Sequence, residues 1–361
     1  MHQQPWRRTA LLVAGLVTAA TVTTGAAQAS AAPAASEGDT VISISADQFR
    51  QARAKSRAAD AKALRTASAA APARERERTS YLRESRRQGV DDVSRADIDV
   101  VDLGHDLLLT LPTETDIKSV TVTKQDDGRF SAEVEDVPQA FGADSSAASA
   151  ASVGTDAGTA AVQGEIDCPL TSSTGQWKLT MLGVGYMYAY WQKCKAGSTS
   201  THDVWVYKRW AVGRPVDVPG DDWSVVGMYL GSYAKPGHES KFLSNIDQQP
   251  RTTQSRCDDV FNATVTTGVP GFGVEVSFPI KDCTDYTVSW GSTPGKYSVY
   301  MDQGFSYHDG DQEAEYAQAV KIKKGQTPYW SDRQRIEWAR WTLPTIPCES
   351  VNSNKVCDPN A

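Results

Sequence analysis

All six cysteines of this 361-residue chain, Cys168, Cys194, Cys257, Cys283, Cys348 and Cys357, lie in its second half, behind an opening segment built like an export signal. Thiols that reach an oxidising compartment in even number are normally paired. The distribution therefore separates a cysteine-free front from a cross-linked back, and the back must carry the stable fold. Thiolate metal binding is disfavoured, because the chain contains no C-x-x-C pair and zinc sites need closely spaced ligands.

The opening segment has the three parts of a secretory signal. Arg7 and Arg8 supply positive charge, the run from Ala10 to Ala27 is apolar or small, and Ala27-Gln28-Ala29 presents small residues where a signal peptidase reads, with cleavage before Ser30. A cut after Ala31 is the neighbouring alternative. A membrane anchor is the competing reading, but Thr and Ala dominate and large apolar side chains are few, which makes the run marginal for a bilayer. Arg7-Arg8 also permits twin-arginine export, although the hydrophobic residues expected just after the pair are missing. Residues 1–29 are thus expected to be removed, leaving a secreted, extracellular protein with no membrane association after cleavage. A formal net charge of −7 points to solubility rather than to nucleic acid. Heavy Ala and Arg usage fits a bacterial, GC-rich genome.

Residues 30–95 read as an Ala/Arg-rich helical arm. Ser45-Ala46-Asp47-Gln48 has capping-box spacing, in which the Ser and Gln side chains each satisfy a free backbone N–H. A helix over 46–70 follows on propensity, Pro72 breaks it, and a second helix over 73–88 is stopped by Gly89. Large apolar residues are limited to Phe49, Leu64, Tyr81 and Leu82, so the helices are expected to be loosely attached. The arginines Arg74, Arg76, Arg78, Arg83, Arg86 and Arg87 could address anionic polymer, but the interspersed Glu75, Glu77 and Glu84 favour a solvated, salt-bridged helix. The arm is also a candidate pro-segment, open to trypsin-like cleavage.

Residues 96–141 change to alternation and predict a small β unit: one strand over 98–111, then 117–124 and 129–137 about the turn Gln125-Asp126-Asp127-Gly128. Residues 142–165 are mostly Ala, Ser, Gly, Thr and Asp and read as a flexible linker. Residues 166–361 read as a disulfide-bonded antiparallel β-sandwich, so the fold class is mainly β. Expected strands there cover 178–191, 203–212, 223–233, 260–267, 272–279, 286–290, 296–301, 315–323 and 335–343. The last, with Trp338 and Trp341 three apart, has a short helix as its alternative.

Six cysteines allow 15 connectivities. Cys257 and Cys283 are equidistant from Pro270, which would bring them together at the open end of a hairpin. Cys348 and Cys357 close a short tail loop, and Cys168 pairs with Cys194 by elimination.

No recognised catalytic motif is present. A G-x-S-x-G elbow and an H-E-x-x-H pair are both missing, and His202, His238 and His308 sit in polar, loop-like contexts. Glycoside hydrolysis needs two carboxylates at a fixed spacing; Asp221 with Asp222, Asp258 with Asp259, and Glu313 with Glu315 are the candidates. Asp309, Asp311, Glu313 and Glu315 form the densest acidic cluster, and Asp309, Asp311 and Glu313 are candidate calcium ligands, although Ala314 occupies the sixth position, where an EF-hand loop needs Gly, and Val320 the twelfth, where it needs Glu. No other cofactor is expected. Tyr186, Tyr188 and Tyr190 share one strand face, and with Trp205 they are either core or a platform for sugar rings or peptide side chains.

The leading expectation is a secreted, non-catalytic binding or interaction protein, recognising extracellular polysaccharide, such as cell wall, or a protein partner through surface aromatics. The alternatives are an extracellular hydrolase with a carboxylate-based site and an N-terminal pro-segment, and a secreted protease inhibitor presenting the loop between Cys348 and Cys357.

Overall fold

Period-two alternation commits most of the described residues to strands, while the two stretches dominated by Ala and Arg fold as helices. The computed structural model describes residues 39–66, 71–87, 94–126, 128–137, 168, 170–216, 223–252, 254–255, 260–270, 273–279, 285–290, 293–302, 311–340, 348–351 and 354–357. The elements begin with β1 (Thr40–Ser45), α1 (Ala46–Thr66), α2 (Ala71–Arg87), β2 (Ile98–Gly104), β3 (Leu107–Pro112), β4 (Asp116–Lys124) and β5 (Phe130–Val137). The second half supplies β6 (Thr171–Met181), β7 (Gly185–Ser198), β8 (His202–Pro215), β9 (Trp223–Ala234), β10 (Phe242–Gln249), β11 (Gln254–Ser255), β12 (Val260–Thr266) and β13 (Gly273–Pro279). It continues with β14 (Asp285–Trp290), β15 (Tyr297–Asp302), β16 (Gln312–Lys323), β17 (Trp330–Arg340), β18 (Cys348–Val351) and β19 (Asn354–Cys357).

Among the described residues these strands form an eight-stranded sheet, β1-β4-β5-β17-β9-β15-β14-β11, and a seven-stranded sheet, β10-β16-β8-β7-β6-β3-β2. The pairings are antiparallel, so the expected mainly β fold with a helical arm ahead of it is what forms. Leu109, Leu179, Met187 and Ala211 of the seven-stranded sheet join Val120, Val134, Leu230 and Ile336 of the other in one buried cluster. Each large side chain so buried contributes about 1.5–3 kcal/mol.

The front strands do not make a sheet of their own. β3 adds to β6 with Leu107 opposite Met181, and β5 adds to β17 with Phe130 opposite Trp338. A short meander cannot bury its own apolar face; here it completes both sheets of the sandwich. The expected single strand over 98–111 is a hairpin, because Gly104, His105 and Asp106 turn the chain at positive φ. The stretch 178–191 is likewise two strands, β6 and β7, turned at Gly183 with φ +78°. β1 and β10 are absent from the strands expected from the sequence, although in β1 Ile42 and Ile44 alternate with Ser43 and Ser45; β1 pairs with β4, and β10 with β16. The chain around Trp338 is a strand rather than a helix.

Both helices are docked. Ser45 and Gln48 make the expected capping box, the Ser45 N–H donating to Gln48 Oε1 at 2.8 Å. Phe49 and Tyr81 are fully buried, so the few large apolar residues of the arm are all the more decisive. Arg57 Nε donates to Asp99 Oδ1 at 2.8 Å, and Arg53 donates to the carbonyls of Pro112 and Thr115, both at 2.9 Å. These contacts fix α1 against β2 and β4 and overturn the expectation of loose attachment. No helix among the described residues is long and apolar enough to cross a membrane.

Cys168 and Cys194 form a disulfide with their Cα atoms 5.6 Å apart, the pairing reached by elimination. Cys348 stands opposite Cys357 in the β18–β19 ladder. Cys257 and Cys283 lie outside the described residues. The β12–β13 hairpin between them forms as expected, with Val260 opposite Pro279 and Thr266 opposite Gly273.

Candidate functional site

The three tyrosines singled out in the sequence are brought together, with Tyr188 and Tyr190 as core, while Trp205 lies apart from them. Tyr188 and Tyr190 are buried on the outer face of the seven-stranded sheet beneath α2, in a cluster with Tyr81, Ile98, Trp210 and Val212. Tyr190 stacks on Trp210 with ring centroids 5.2 Å apart and an angle of 8° between the planes. The Tyr81 hydroxyl donates to the Gln176 carbonyl at 2.9 Å, and Ser80 Oγ lies 3.1 Å from the Tyr188 hydroxyl. Tyr186 is half-buried, with Lys178 Nζ 4.8 Å from its ring centroid. Trp205 is buried elsewhere, with Trp191, Tyr207, Phe242 and Trp330. A helix over one group and a packed cluster around the other leave no flat ledge for a sugar ring.

The acidic candidates are dispersed. Asp311 accepts a hydrogen bond from Arg214 Nε and lies 3.5 Å from Arg87. Glu313 is half-buried on β16, and Glu315 is fully buried 2.9 Å from Lys208 Nζ. Asp221, Asp222, Asp258, Asp259, His308 and Asp309 lie outside the described residues. His202 Nδ1 sits 2.9 Å from the Thr201 hydroxyl, and the His238 ring is 4.8 Å from that of Tyr329. Among the described residues no three His, Cys, Asp or Glu side chains gather as a metal site.

Two arrangements emerge that the sequence did not single out as candidate sites. The first lies between the sheets. Asp136 and Asp332 are opposite one another in the β5–β17 ladder, and both are fully buried. Arg209 reaches them from β8, 2.7 Å from Asp332 and 3.8 Å from Asp136. Tyr207 donates to Asp332, and Gln334 Nε2 to Asp136 at 3.3 Å. Burial pushes both carboxyl groups above the usual carboxylate range, while Arg209 pulls each back down. Burial also lowers nearby Lys193 to about 8, against the opposing field of Asp332. A cluster this deep is a structural device, since burial of this kind denies it a reactant.

The second is the β12–β13 hairpin, which is hydrogen-bonded into neither large sheet. It lies over β10 and β16, on the outer side of the seven-stranded sheet. Val265 is fully buried in the same cluster as Ala317 and Ala319, whereas its neighbours Thr264 and Thr266 are exposed. The same period runs through the register: Val265 is opposite Val274, Ala263 opposite Val276 and Phe261 opposite Phe278, alternating with Thr264 opposite Glu275 and Asn262 opposite Ser277. At the turn, Val269 comes so close to β7 that a Cβ on Gly197 would fall 2.5 Å from its Cγ2. Only glycine admits that approach.

Asp247 of β10 latches this hairpin. Its Oδ2 accepts the Thr266 N–H at 2.7 Å and the Thr266 hydroxyl at 2.8 Å, while Arg251 Nε donates to Oδ1 at 2.9 Å. Gln249 Nε2 adds a longer bond to the Thr264 carbonyl at 3.4 Å. Burial acts to raise the Asp247 carboxyl, but the bonds from Arg251 and Thr266 outweigh it and hold the group below its ordinary value. One signal for this element is in the sequence. From Val260 to Ile280 the sole ionisable residue is Glu275, and the run is bracketed by Asp258-Asp259 and Lys281-Asp282.

No family model matches the chain, and no curated protein matches it. A solved structure described as "Pore forming protein" aligns over 64% of this chain and 88% of its own, at 8% identity and a TM-score of 0.29, a likeness too remote to bear on what this chain does.

Proposed function

We propose that the chain is a secreted, non-catalytic interaction protein whose working element is the β12–β13 hairpin. The observation that carries this reading is the hairpin's independence: it belongs to neither sheet and is held on the sandwich by the buried Val265 and a short set of side-chain bonds centred on Asp247. An element attached this way opens at lower free energy than the sheets beneath it, and the parts of proteins that engage partners are drawn from that end of the stability range. The Cys168–Cys194 disulfide supports work in an oxidising, extracellular setting. The contact is assigned to the hairpin rather than to Tyr186, Tyr188, Tyr190 or Trp205, the aromatics from which recognition of polysaccharide or protein is expected on sequence alone.

Native-state hydrogen exchange on the mature protein tests this. The amides of β12 and β13 should exchange at least tenfold faster than those of β7 and β8. Equal protection in hairpin and sheet would show that the hairpin opens only with global unfolding and would remove the proposal.

A further inference from the structure

We infer that the partner surface of the β12–β13 hairpin is a lipid bilayer, which the hairpin enters after leaving the sheet. This rests on the reading of the hairpin as a separable element and departs from the expectation of a chain indifferent to membranes. Three observations carry it.

The first is charge. Val260 to Ile280 spans 21 residues with Glu275 as the one ionisable group, in a chain whose charged fraction is 22%. A surface hairpin bound for water or for a polar polymer has no need to exclude Lys, Arg and Asp. One bound for hydrocarbon does, because a charge at the bilayer centre costs several kcal/mol. The charged residues return at both ends, where headgroups would meet them.

The second is length and alternation. Divided at Pro270, the run leaves ten residues of sequence on either side, of which seven on each side form the described strands Val260–Thr266 and Gly273–Pro279; a strand crossing a bilayer at a tilt needs about 9–11. Within the strands Phe261, Ala263 and Val265, in register with Phe278, Val276 and Val274, alternate with Asn262 and Thr264, in register with Ser277 and Glu275. That is the pattern of a strand with one face to lipid and one to water.

The third is the mode of storage. In this state Val265 is laid against the sheet, while Asp247, Arg251 and Thr266 close the latch. Release exchanges one apolar contact for another, so acyl chains can take over what Ala317 and Ala319 supply here. Free strand edges are not tolerated in hydrocarbon, so an inserted hairpin must pair edge to edge with those of further copies.

Flotation of the full mature chain with phosphatidylcholine vesicles, with and without phosphatidylglycerol, tests the inference. Wild type is compared with Asp247→Asn and Arg251→Gln, which open the latch, and with Pro270→Asp, which puts a charge on the exposed turn without disturbing the core. Thermal unfolding of each variant confirms that it is folded, and the two latch variants back each other up. The expected result is binding to both vesicle types, raised several-fold by opening the latch and lowered at least tenfold by Pro270→Asp, in the wild type and in each latch variant alike. The inference is overturned if neither wild type nor a latch variant floats, or if Pro270→Asp floats equally well. Binding that needs phosphatidylglycerol and ignores Pro270→Asp would also overturn it, because the arginines of α2 would then account for it. Failure here alongside fast exchange of β12 and β13 leaves the hairpin an interaction element and refutes only the lipid partner.

Discussion

Asp136 and Asp332 stand directly opposite one another across β5 and β17, inside the sandwich, with the guanidinium of Arg209 as the cation between them. Two carboxylates and one arginine leave an excess negative charge that a buried site disfavours, so the pair retains a proton. Both pKa values are raised by burial. The folded chain therefore holds a proton that the unfolded chain releases in the ordinary carboxylate range, and the associated stability is full below that range. It is lost as pH climbs through the raised folded values, and each tenfold difference in proton affinity between the two states is worth about 1.4 kcal/mol. Urea midpoints of the wild type should decline from pH 5 toward pH 9, and Asp136→Asn, neutral throughout, should flatten that decline.

Asp332→Ala tests the other half of the pair. It strips Arg209 of its nearer partner and Tyr207 of its acceptor, leaving the buried guanidinium only Asp136, 3.8 Å away. The cost should be about 3–5 kcal/mol. Chemical denaturation at pH 6 measures it; a loss below about 1 kcal/mol would mean that Asp136 alone suffices to neutralise Arg209.

The attachment of the arm can be read through Tyr81. Tyr81→Ala removes a fully buried ring from beneath α2 and its hydrogen bond to Gln176, and should cost about 3–5 kcal/mol. If α2 is docked as described, limited trypsinolysis at Arg83, Arg86 and Arg87 will be slow in the wild type and fast in the variant. Equally rapid cleavage in both would return the arm to the status of a loose appendage.

Hairpin docking should depend on acid in the opposite sense to the interior pair. Asp247 is held below its ordinary value by Arg251 and Thr266, so its contribution is complete above the normal carboxylate range and is lost as pH falls through the depressed folded value. Amide protection in β12 and β13 should fall below about pH 4 while β7 and β8 stay protected. Asp247→Asn should abolish this acid dependence.

Cys168→Ser and Cys194→Ser each remove the cross-link that ties the start of β6 to β7. Each should destabilise the chain by about 2–5 kcal/mol, and adding reductant to wild type should reproduce most of the loss. Thermal melts with and without reductant check both.

Local features were legible in the sequence because local chemistry decides them. The Ser45–Gln48 capping box, the turn at Gly128 and the β12–β13 hairpin each follow from a few adjacent residues, and each formed. Partners distant along the chain were not legible. Alternation says which residues share a strand face and is silent about which strand lies alongside, so β5 gave no hint of β17, nor β3 of β6. The same limit applied to the tyrosines. Their common face was correctly read, but the cover over it comes from α2, whose own sequence announces little beyond Tyr81. Asp247 was passed over because a lone acid in a polar strand usually points to water; its role depends on Thr266, brought alongside only by folding.

Pairing β5 with β17 joins positions such as Glu133 and Arg333, 200 residues apart. At ordinary translation speeds the first of these strands leaves the ribosome roughly 10 s or more before its mate is made. Neither layer can close in that interval, so the chain must travel unfinished, with a row of vacant hydrogen-bonding groups along β5. Such high contact order implies slow final assembly, completed only once β17 has been made and can take its place beside β5.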